Sequence, residues 1–488
     1  MMRMIISLQI TQTIDRSLVQ YSQLTLPYFA NMIMIPSHKK RGGKYMLHFG
    51  HRVEPFVDDY LIDSLENVSF RITKPENLGK VLAFDQPWED LGSAVGTVIQ
   101  NKDGIKLYYR GFPADIPGDD SDAQTTCLAE STDGIHFTRT PLNKVDYFGN
   151  KENNIVLMGK FSHNFCPFYD TNPACPENER YKAIAGTNIT HGLHVFVSPD
   201  GINWTDPVGH PVITTGELDS MNTAFWDPYA GLYRCYSRIY HKQPRRALRA
   251  IQNCVSTDFI HWSIPQENIY ENGPTDELYT NATRPMPGAE HVLYSIPMRF
   301  QNYRMMGDGN PPGSPGVSDA VLMTSRDGMY WSRNGREPWL SGSLYEHEWS
   351  QRCFITAPGV VEIGKNWIFY VNKNYMWEDH GIWAYSVPKL RLMSLFADDR
   401  GGKMTSKLLQ FEQDYVHINF STSAYGSIKV KILDENGNLR FESPELYGNE
   451  ISRRLHFEGL KNTVGRLVLE MNEANVYAIG SNMIPYSN

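Results

Sequence analysis

Short apolar runs, separated by turns rich in Gly, Asp, Asn and Pro, occupy most of the chain. Many of these runs alternate apolar and polar residues, as Ser427–Leu433 (SIKVKIL) does, which is the period of a strand with one buried face. Convincing helical periodicity is absent almost everywhere. The pattern therefore predicts an all-β protein.

A seven-residue motif recurs four times at a spacing of roughly 60 residues, the size of a propeller blade. The four copies are Ser131–Phe137 (STDGIHF), Ser198–Trp204 (SPDGINW), Ser256–Trp262 (STDFIHW) and Ser325–Trp331 (SRDGMYW). In each copy an apolar strand ends in a turn where Asp bonds its own backbone. Gly supplies the positive φ there, except that Phe259 replaces it in the third copy. We interpret each copy as the hairpin between the third and fourth strands of a blade.

Two further strand-like runs precede each copy, so each unit has the four antiparallel strands of a blade. A fifth unit without the motif follows, with strands predicted at Cys353–Val361, Trp367–Asn372 and Gly381–Ser386. The early run Glu54–Asp63 is a candidate for the outer strand that closes the ring. The sequence thus predicts a five-bladed β-propeller, with six blades or two sandwiches as rivals.

The pattern changes near residue 400, after which short alternating runs predict a small antiparallel β-sandwich. We expect a leader at residues 1–48, the propeller at 49–400 and the β-sandwich at 401–488. In the leader an apolar patch precedes the basic run Lys39–Arg41, whereas a secretory signal has the opposite order. We interpret the leader as disordered or misassigned, and export versus a cytoplasmic location stays open.

Composition narrows the function classes. Net charge is −8 with a pI near 6.0, which argues against a nucleic-acid partner. No apolar run is long enough to span a bilayer. The six cysteines do not have the spacing of a metal-binding motif. A disulfide between Cys166 and Cys175 is left as an option only for an oxidising compartment. Oligomeric state is not indicated.

Polar residues at the entry of each innermost strand should meet at one mouth of the propeller channel. Carboxylates occur at four of the five entries. Paired carboxylates are what glycoside hydrolysis requires, since one protonates the leaving oxygen while the other attacks or activates water. The candidate catalytic residues are Asp219, Glu277, Asp90, Glu89 and Glu348, with Asp219 and Glu277 preferred.

Amide, aromatic and cationic residues near these entries are candidates for binding sugar. Arg299 and three further arginines lie in or beside strands of the channel, where they either pair with carboxylates or recognise an acidic sugar. His163 is a candidate sugar ligand or proton carrier, with a structural role as the alternative. The candidate substrate-binding residues are His163, Asn164, Asn222, Tyr279, Asn281, Arg110, Arg238, Arg352 and Trp349.

Several stretches resemble the five-bladed propeller glycoside hydrolases, the group that contains families 32, 43, 68 and 143, and most closely the bacterial proteins called glycosyl-hydrolase-like. The resemblance rests on Phe56–Asp63 (FVDDYLID), His163–Phe165 (HNF), Asp219–Asn222 (DSMN) with Phe225–Asp227 (FWD), Leu278–Asn281 (LYTN), Phe420–Ser423 (FSTS) and Pro444–Gly448 (PELYG). It implies the fold and the broad class, that of the propeller glycoside hydrolases, and leaves the substrate open. Blade two offers His163-Asn164 where the family places an acid, so we place the acid pair on blades three and four.

The expected function is a glycoside hydrolase that is exo-acting on a side-chain sugar, with an acidic sugar as one option. A non-catalytic carbohydrate-binding propeller is the alternative, and a protein scaffold is a third class. No cofactor is predicted, and a calcium ion in the channel is left open. The sugar, its linkage and retention or inversion of configuration are not encoded in the sequence pattern.

Overall fold

A computed structural model describes residues 46–50, 52–113, 122–244, 246–271, 275–304 and 315–480. Over these residues the regular structure is β-strand, apart from two short 3₁₀ turns at Glu177–Glu179 and Glu346–Trp349. The predicted all-β class is confirmed. Most of the predicted leader, residues 1–45, lies outside the described residues.

Five separate sheets follow one another along the chain, and we number them sheets 1 to 5. Sheet 1 comprises Ala94–Asn101, Gly104–Gly111, Thr125–Ser131 and Ile155–Met158; sheet 2 comprises Cys166–Tyr169, Tyr181–Ala185 and His194–Ser198. Sheet 3 comprises Thr223–Asp227, Leu232–Lys242, Ala247–Ser256 and Gln266–Glu267; sheet 4 comprises Thr283–Met286, Ala289–Ser295 and Met323–Ser325. Sheet 5 comprises Glu76–Ala83, Ile355–Thr356, Val361–Ile363, Asn366–Lys373 and Gly381–Pro388.

Two small sheets lie beside sheets 3 and 4. One joins Ile269–Tyr270 to Tyr330–Trp331, and the other joins Glu277–Leu278, Met298–Gln301 and Val317–Ala320. The strand after each repeated turn is shorter than predicted. It makes a single bridge with the third strand of its sheet, such as Thr138 with Glu130. The regular fourth strand of sheets 1 and 3 comes later in the chain.

The innermost strands of the five sheets surround one axis. The first strand of sheet 2 packs against those of sheets 1 and 3, and the first strand of sheet 3 packs against that of sheet 4. Tyr294 of sheet 4 contacts Phe369 of sheet 5 with ring centroids 6.1 Å apart, and Ile355–Thr356 packs against Ala94–Asn101. The sheets therefore form a ring, as in a β-propeller. The exact number of blades stays a prediction.

Tyrosines of the second strands bond the repeated turn of the next sheet. Tyr108 donates to the carbonyl of Gly201 at 2.9 Å, and Tyr236 donates to Gly328 at 2.9 Å. Tyr370 of sheet 5 donates to Gly134 of sheet 1 at 2.7 Å, so the same contact closes the ring.

The turn with Phe259 departs from this pattern. Phe259 has a φ of 69°, and it occupies the position that glycine holds in the other copies. Its ring packs against Phe168 and Tyr233, with centroids 5.5 and 5.3 Å away. Apolar packing thus replaces the tyrosine hydrogen bond at this junction.

The terminal segments of the chain share one sheet of eleven strands. Its strands are Met46–Phe49, Val53–Pro55, Ile62–Glu66, Ser69–Ile72, Met393–Ala397, Gly402–Ser406, Leu408–Phe411, Tyr415–Leu433, Leu439–Glu442, Asn449–His456 and Val464–Gly480. These strands enclose a core of buried aliphatic and aromatic residues. The predicted C-terminal β-sandwich stays a prediction, because the strands form one connected network.

The predicted role of Glu54–Asp63 is wrong. Its strands belong to the terminal sheet, where Val53–Pro55 pairs with Val464–Gly480 and Ile62–Glu66 pairs with Gly402–Ser406. The outer strand of sheet 5 is Glu76–Ala83, which pairs with Gly381–Pro388. The chain therefore does not pass to another sheet at residue 49, the predicted start of the propeller. The predicted domain boundaries stay predictions.

A buried ion cluster joins these early strands to the turn of sheet 4. Arg326 donates to Glu54 at 2.9 Å and to both carboxylate oxygens of Asp58, and its guanidinium lies 3.9 Å from the Tyr60 ring centroid. Burial alone would raise the pKa of Glu54, but Arg326, His291 and Arg52 lower it to about 2. The cluster thus holds a charged Glu54 inside the protein.

Within the described ranges, no helix has both the length and the apolar content needed to cross a bilayer.

Replacing Tyr370 with Phe should lower the free energy of unfolding by about 1–3 kcal/mol, because the buried carbonyl of Gly134 loses its donor. Chemical denaturation of wild type and variant measures this difference. Tyr425→Phe, at a tyrosine that is 91% exposed, is the matched control and should change nothing. Equal stability of Tyr370→Phe and wild type would show that this contact does not close the ring.

Acid should remove the stabilisation that Glu54 provides. Because folding lowers its pKa from 4.5 to about 2, the ionised group contributes stability above pH 4.5 and loses it as the pH falls toward 2. The stability gap between wild type and Glu54→Gln should thus be about 3 kcal/mol at neutral pH and close over that window. Denaturant melts between pH 2 and 7 test this, with Glu435→Gln as an exposed control; a pH-independent gap would contradict the ion cluster.

Candidate active site at the channel mouth

One end of the channel holds a cavity of about 80 Å³ to which all five sheets or their entry segments contribute. We name it the channel-mouth cavity. Its polar lining residues are Arg110, Thr126, Ser162, His163, Asn164, Asp219, Ser220, Tyr279, Thr280 and Arg352. Six of the residues predicted to bind or act on substrate are thus brought together: Asp219, His163, Asn164, Tyr279, Arg110 and Arg352.

Asp219 is the carboxylate that lines this cavity. Its side chain is 45% exposed, one carboxylate oxygen lies 2.7 Å from His163 Nε2, and the other lies 3.9 Å from Arg238 Nη2. Burial opposes ionisation, but His163, Arg238 and Arg110 hold the pKa of Asp219 well below its ordinary value. Asp219 is therefore an anion with a surface open to a ligand.

His163 is buried and connects Asp219 to sheet 1. Its Nδ1 lies 2.9 Å from the side-chain oxygen of Gln124, and its Nε2 faces Asp219. Arg110 lies against the ring, with Nη1 3.2 and 3.3 Å from the two nitrogens. Because both nitrogens face oxygen acceptors, the ring is held in a fixed orientation and supports the charge on Asp219.

Guanidinium groups outnumber carboxylates around the cavity. Arg110 donates to the carbonyl of Gly92 at 2.9 Å, while its Nε has no hydrogen-bond partner. Arg352 donates to the hydroxyl of Tyr375 at 3.2 Å. The amide nitrogen of Asn164 is also buried without a partner. The cavity is therefore rich in donors, which suits an anionic or hydroxylated ligand.

Tyr279 lies at the centre of three arginines. The guanidinium carbons of Arg249, Arg238 and Arg352 lie 4.9, 5.4 and 5.8 Å from its ring centroid. Its backbone carbonyl accepts from Ser220 at 2.6 Å, which ties the entries of sheets 3 and 4 together. The phenol ring thus forms an aromatic face within a cationic surrounding.

Glu277 does not line the channel-mouth cavity. It is buried, and its carboxylate lies 2.5 Å from Arg249 Nη1. It borders a neighbouring cleft that also contains Trp349, whose indole nitrogen donates to the carbonyl of Ser343. The predicted pair is therefore split, with Asp219 in the cavity and Glu277 behind Arg249.

Asn222 and Asn281 were predicted to bind substrate, but both are almost fully buried. Asn222 donates to the carbonyls of Leu218 and Ser220, and Asn281 donates to the carbonyl of Met221 at 2.8 Å. Their side chains point into the loop that carries Asp219. These bonds fit a positioning role, and contact of the two side chains with substrate stays a prediction.

Glu89 and Glu348 also lie away from the cavity. Glu89 is buried, and burial raises its pKa. Its carboxylate accepts hydrogen bonds from the Tyr109 hydroxyl at 2.6 Å and from Arg139 at 2.8 Å. Glu348 lies 2.5 Å from Lys373, which offsets burial and lowers its pKa. Asp90 lies before the entry of sheet 1, where its backbone bonds Ser93. None of the three lines the channel-mouth cavity, and their catalytic role stays a prediction.

Arg249 and Gln124 were missed by the sequence analysis. Arg249 lies in the third strand of sheet 3 and Gln124 directly precedes the third strand of sheet 1, whereas the predicted site residues lie at entries and in first and second strands. Their side chains are long enough to reach Glu277 and His163 from there. No repeat or turn signal marks such a position.

The cavity does not fit calcium. Ca²⁺ takes six to eight oxygen ligands, several of them carboxylates. Asp219 is the single carboxylate among the residues that line this cavity, and it lies among arginines. In the part of the chain that is described, no group of three metal-binding side chains occurs.

All six cysteines are buried and free, so Cys166 and Cys175 are not paired.

No protein-family model matches the chain, and no curated protein matches it. Solved structures similar to it include a family 32 β-fructofuranosidase of Bombyx mori, with 10% identity and a TM-score of 0.39. That match covers 83% of this chain and 94% of the Bombyx mori chain. An N-acetylgalactosamine deacetylase from F. plautii has 13% identity, a TM-score of 0.41 and coverages of 82% and 96%. A β-1,2-mannobiose phosphorylase from Listeria innocua has 13% identity, a TM-score of 0.41 and coverages of 64% and 95%.

The expected resemblance to propeller glycoside hydrolases is confirmed to the extent that a family 32 enzyme is among these structures. Because every TM-score is below 0.5, we assign the fold from the sheets of this chain and take no activity from the matches.

Asn281→Ala should lower the free energy of unfolding by about 1–3 kcal/mol and loosen the Asp219 loop, because the carbonyl of Met221 loses its donor. Denaturant melts measure the stability, and limited proteolysis between residues 216 and 222 reports the loop. Asn436→Ala, in an exposed turn, is the control. A variant that is stable and equally protected would contradict the positioning role.

Proposed function

We propose that this protein is a glycoside hydrolase that removes a terminal side-chain sugar, and that this sugar is acidic. The carrying observation is the channel-mouth cavity, where an ionised, half-exposed Asp219 is surrounded by His163 and arginines. Anionic carboxylates stabilise the positive charge that develops on the sugar ring in glycoside cleavage. Asp219 is therefore the proposed nucleophile or base.

Glu277 is the second carboxylate of the proposal. It is two residues before Tyr279, which lines the cavity, so it lies beside the cavity. The guanidinium of Arg249 contacts both the carboxylate of Glu277 and the ring of Tyr279. Glycoside cleavage needs an acid that protonates the leaving oxygen, and we assign this role to Glu277. We infer that substrate binding displaces Arg249, which frees the carboxyl group of Glu277 to reach the leaving oxygen.

The size and charge of the cavity support the substrate class. The cavity is small, at about 80 Å³, which favours binding of a chain end over cleavage within a polymer. Arg110 and Arg352 on its wall present guanidinium groups, which pair with carboxylates bidentately. Tyr279 supplies the aromatic surface that sugar rings contact.

A non-catalytic carbohydrate-binding propeller is the second candidate. The ion pair between Glu277 and Arg249 favours it, because it occupies the carboxyl group that the hydrolase would need as its acid. In that case Asp219 would accept hydrogen bonds from sugar hydroxyls. The two candidates predict the same binding site but different consequences of mutation.

Wild-type protein should release one monosaccharide from a complex acidic glycan, while Asp219→Asn and Glu277→Gln should each lose at least 100-fold in kcat/KM, as expected when a catalytic acid or base is removed. Chromatography of products from plant, algal and host glycans tests this. Asp399→Asn, at an exposed carboxylate, should keep full activity. Retained turnover in both variants would contradict the assigned pair, and binding without turnover by wild type would favour the binding propeller.

Arg110→Met should weaken the reaction on an acidic sugar about 10- to 100-fold, chiefly in KM, because a charged hydrogen bond contributes roughly 1.5–3 kcal/mol. The same substrate with its carboxyl group reduced to an alcohol should be affected little by this variant. Comparing KM and kcat for both substrates measures the effect. An equal loss on both substrates would show that Arg110 does not read the carboxylate.

A further inference from the structure

The cleft beside Trp349 is larger than the channel-mouth cavity and lies next to it. Its volume is about 490 Å³, which is typical of small-ligand pockets, whereas the channel-mouth cavity has about 80 Å³. Arg249 lies where the two meet. Its Nη1 is 2.5 Å from the carboxylate of Glu277 in the cleft, and its guanidinium carbon is 4.9 Å from the ring centroid of Tyr279 in the cavity. A ligand that fills the cavity can therefore extend toward the cleft.

Three parts of the chain line the cleft beside Trp349. The hairpin of sheet 3 contributes Arg246 and Leu248, and the small sheet that contains Glu277–Leu278 forms a second side. The connection from sheet 4 to sheet 5 carries Trp349. The cleft is thus a gap between neighbouring sheets, and it is not the inside of a single loop.

The ring of Trp349 is held in one orientation and is partly exposed. Its indole nitrogen donates to the carbonyl of Ser343 at 2.7 Å, and 37% of the residue is accessible. Gly342 lies so close that an added Cβ would be 2.7 Å from the ring. The backbone amide of Ser343 donates to the buried carboxylate of Glu348 at 2.8 Å, which fixes this segment. Trp349 thus offers a preorganised aromatic surface to a ligand.

Opposite charges balance one another around this cleft. Arg299 lies 2.5 Å from Asp319 and 3.6 Å from Asp276. The charged residues among the described residues that line the cleft are Arg246, Arg299, Arg304, Asp276, Glu277 and Asp319. Guanidinium groups donate and carboxylates accept, so they offer both partners that a sugar hydroxyl group needs. The equal numbers distinguish the cleft from the arginine-rich cavity and favour a neutral sugar.

We propose that the cleft beside Trp349 binds the sugar residue to which the acidic terminal sugar is linked, and that this residue is neutral. The placement rests on the proposed function, in which Glu277 protonates the leaving oxygen. Because Asp219 lines the cavity and Glu277 lines the cleft, the bond to be cleaved lies at the boundary between them. The terminal sugar then occupies the cavity, and the residue that leaves lies against Trp349.

The first test compares the affinities of Asp219→Asn protein for two matched probes. One is a disaccharide of a uronic acid linked to galactose, and the other is the methyl glycoside of the same uronic acid, each prepared with glucuronic and with galacturonic acid. Calorimetric titration should show that the disaccharide binds about 10-fold more tightly, as one additional aromatic contact would provide. Equal affinities, or binding of neither probe, would overturn the proposal.

The second test adds Trp349→Ala to the Asp219→Asn protein. The advantage of the disaccharide should disappear, while the affinity for the methyl glycoside should stay the same. Tyr447→Ala, at a tyrosine that is 72% exposed, is the matched control and should change neither affinity. An equal loss for both probes would overturn the proposal. Tighter binding of a disaccharide of two uronic acids than of the galactose probe would overturn the neutral residue.

Wild-type kinetics separate this proposal from the proposed hydrolase. If wild type prefers the disaccharide in binding but releases no sugar, the cleft binds the second residue and the hydrolase is wrong. If wild type releases the uronic acid equally fast from both probes, and Trp349→Ala changes neither rate, the hydrolase stands and the role of the cleft is wrong. The first comparison of affinities needs no change at Trp349, so it holds even if Trp349→Ala fails to fold.

Discussion

Closure of the sheet ring is the constraint on which the rest of the structure depends. Each innermost strand is too short and too polar at its entry to stand alone, and it is stabilised by packing against its two neighbours. At the closing junction Tyr370 bonds Gly134, and Thr97 donates to the carbonyl of Pro358. Glu76–Ala83 adds an early strand to the last sheet, which ties both ends of the ring. The channel-mouth cavity exists only because these junctions bring five entries to one place.

Cations balance the carboxylates at the channel mouth. Asp219 is balanced by His163 and Arg238, and Glu277 by Arg249. Arg110 and Arg352 also line the cavity, so positive groups outnumber carboxylates there. A carbohydrate that carries a carboxylate would complete this arrangement, which is the electrostatic argument for the proposed substrate class.

Much of the fold was predictable because the turn chemistry is local. A Ser-x-Asp-Gly turn is visible in the sequence, because its hydrogen bonds join residues that are two or three positions apart. Asp200, for example, accepts from the amides of Ile202 and Asn203. The sheet that closes the ring was not predictable from such signals. The sequence pattern indicated Glu54–Asp63 as the outer strand of sheet 5, and only the long-range pairing of the structure shows that Glu76–Ala83 takes this place.

The candidate site was predictable in part for a similar reason. Entry positions follow from the repeat, so Asp219, His163 and Tyr279 were predicted to lie together, as they do around the channel-mouth cavity, and their roles stay predictions. Side-chain direction does not follow from it, so Asn281 was predicted to bind sugar although it bonds the backbone of the Asp219 loop. Arg249 reaches the site from a third strand, where no local pattern marks function.

A crystal structure of Asp219→Asn bound to an acidic oligosaccharide is the most direct test of the central claim, which is that the channel-mouth cavity holds the terminal sugar. The account predicts the sugar ring against Tyr279, its carboxylate between Arg110 and Arg352, and its anomeric carbon beside position 219. A sugar bound on the terminal sheet or in the cleft beside Trp349, with the channel-mouth cavity filled only by water, would contradict it.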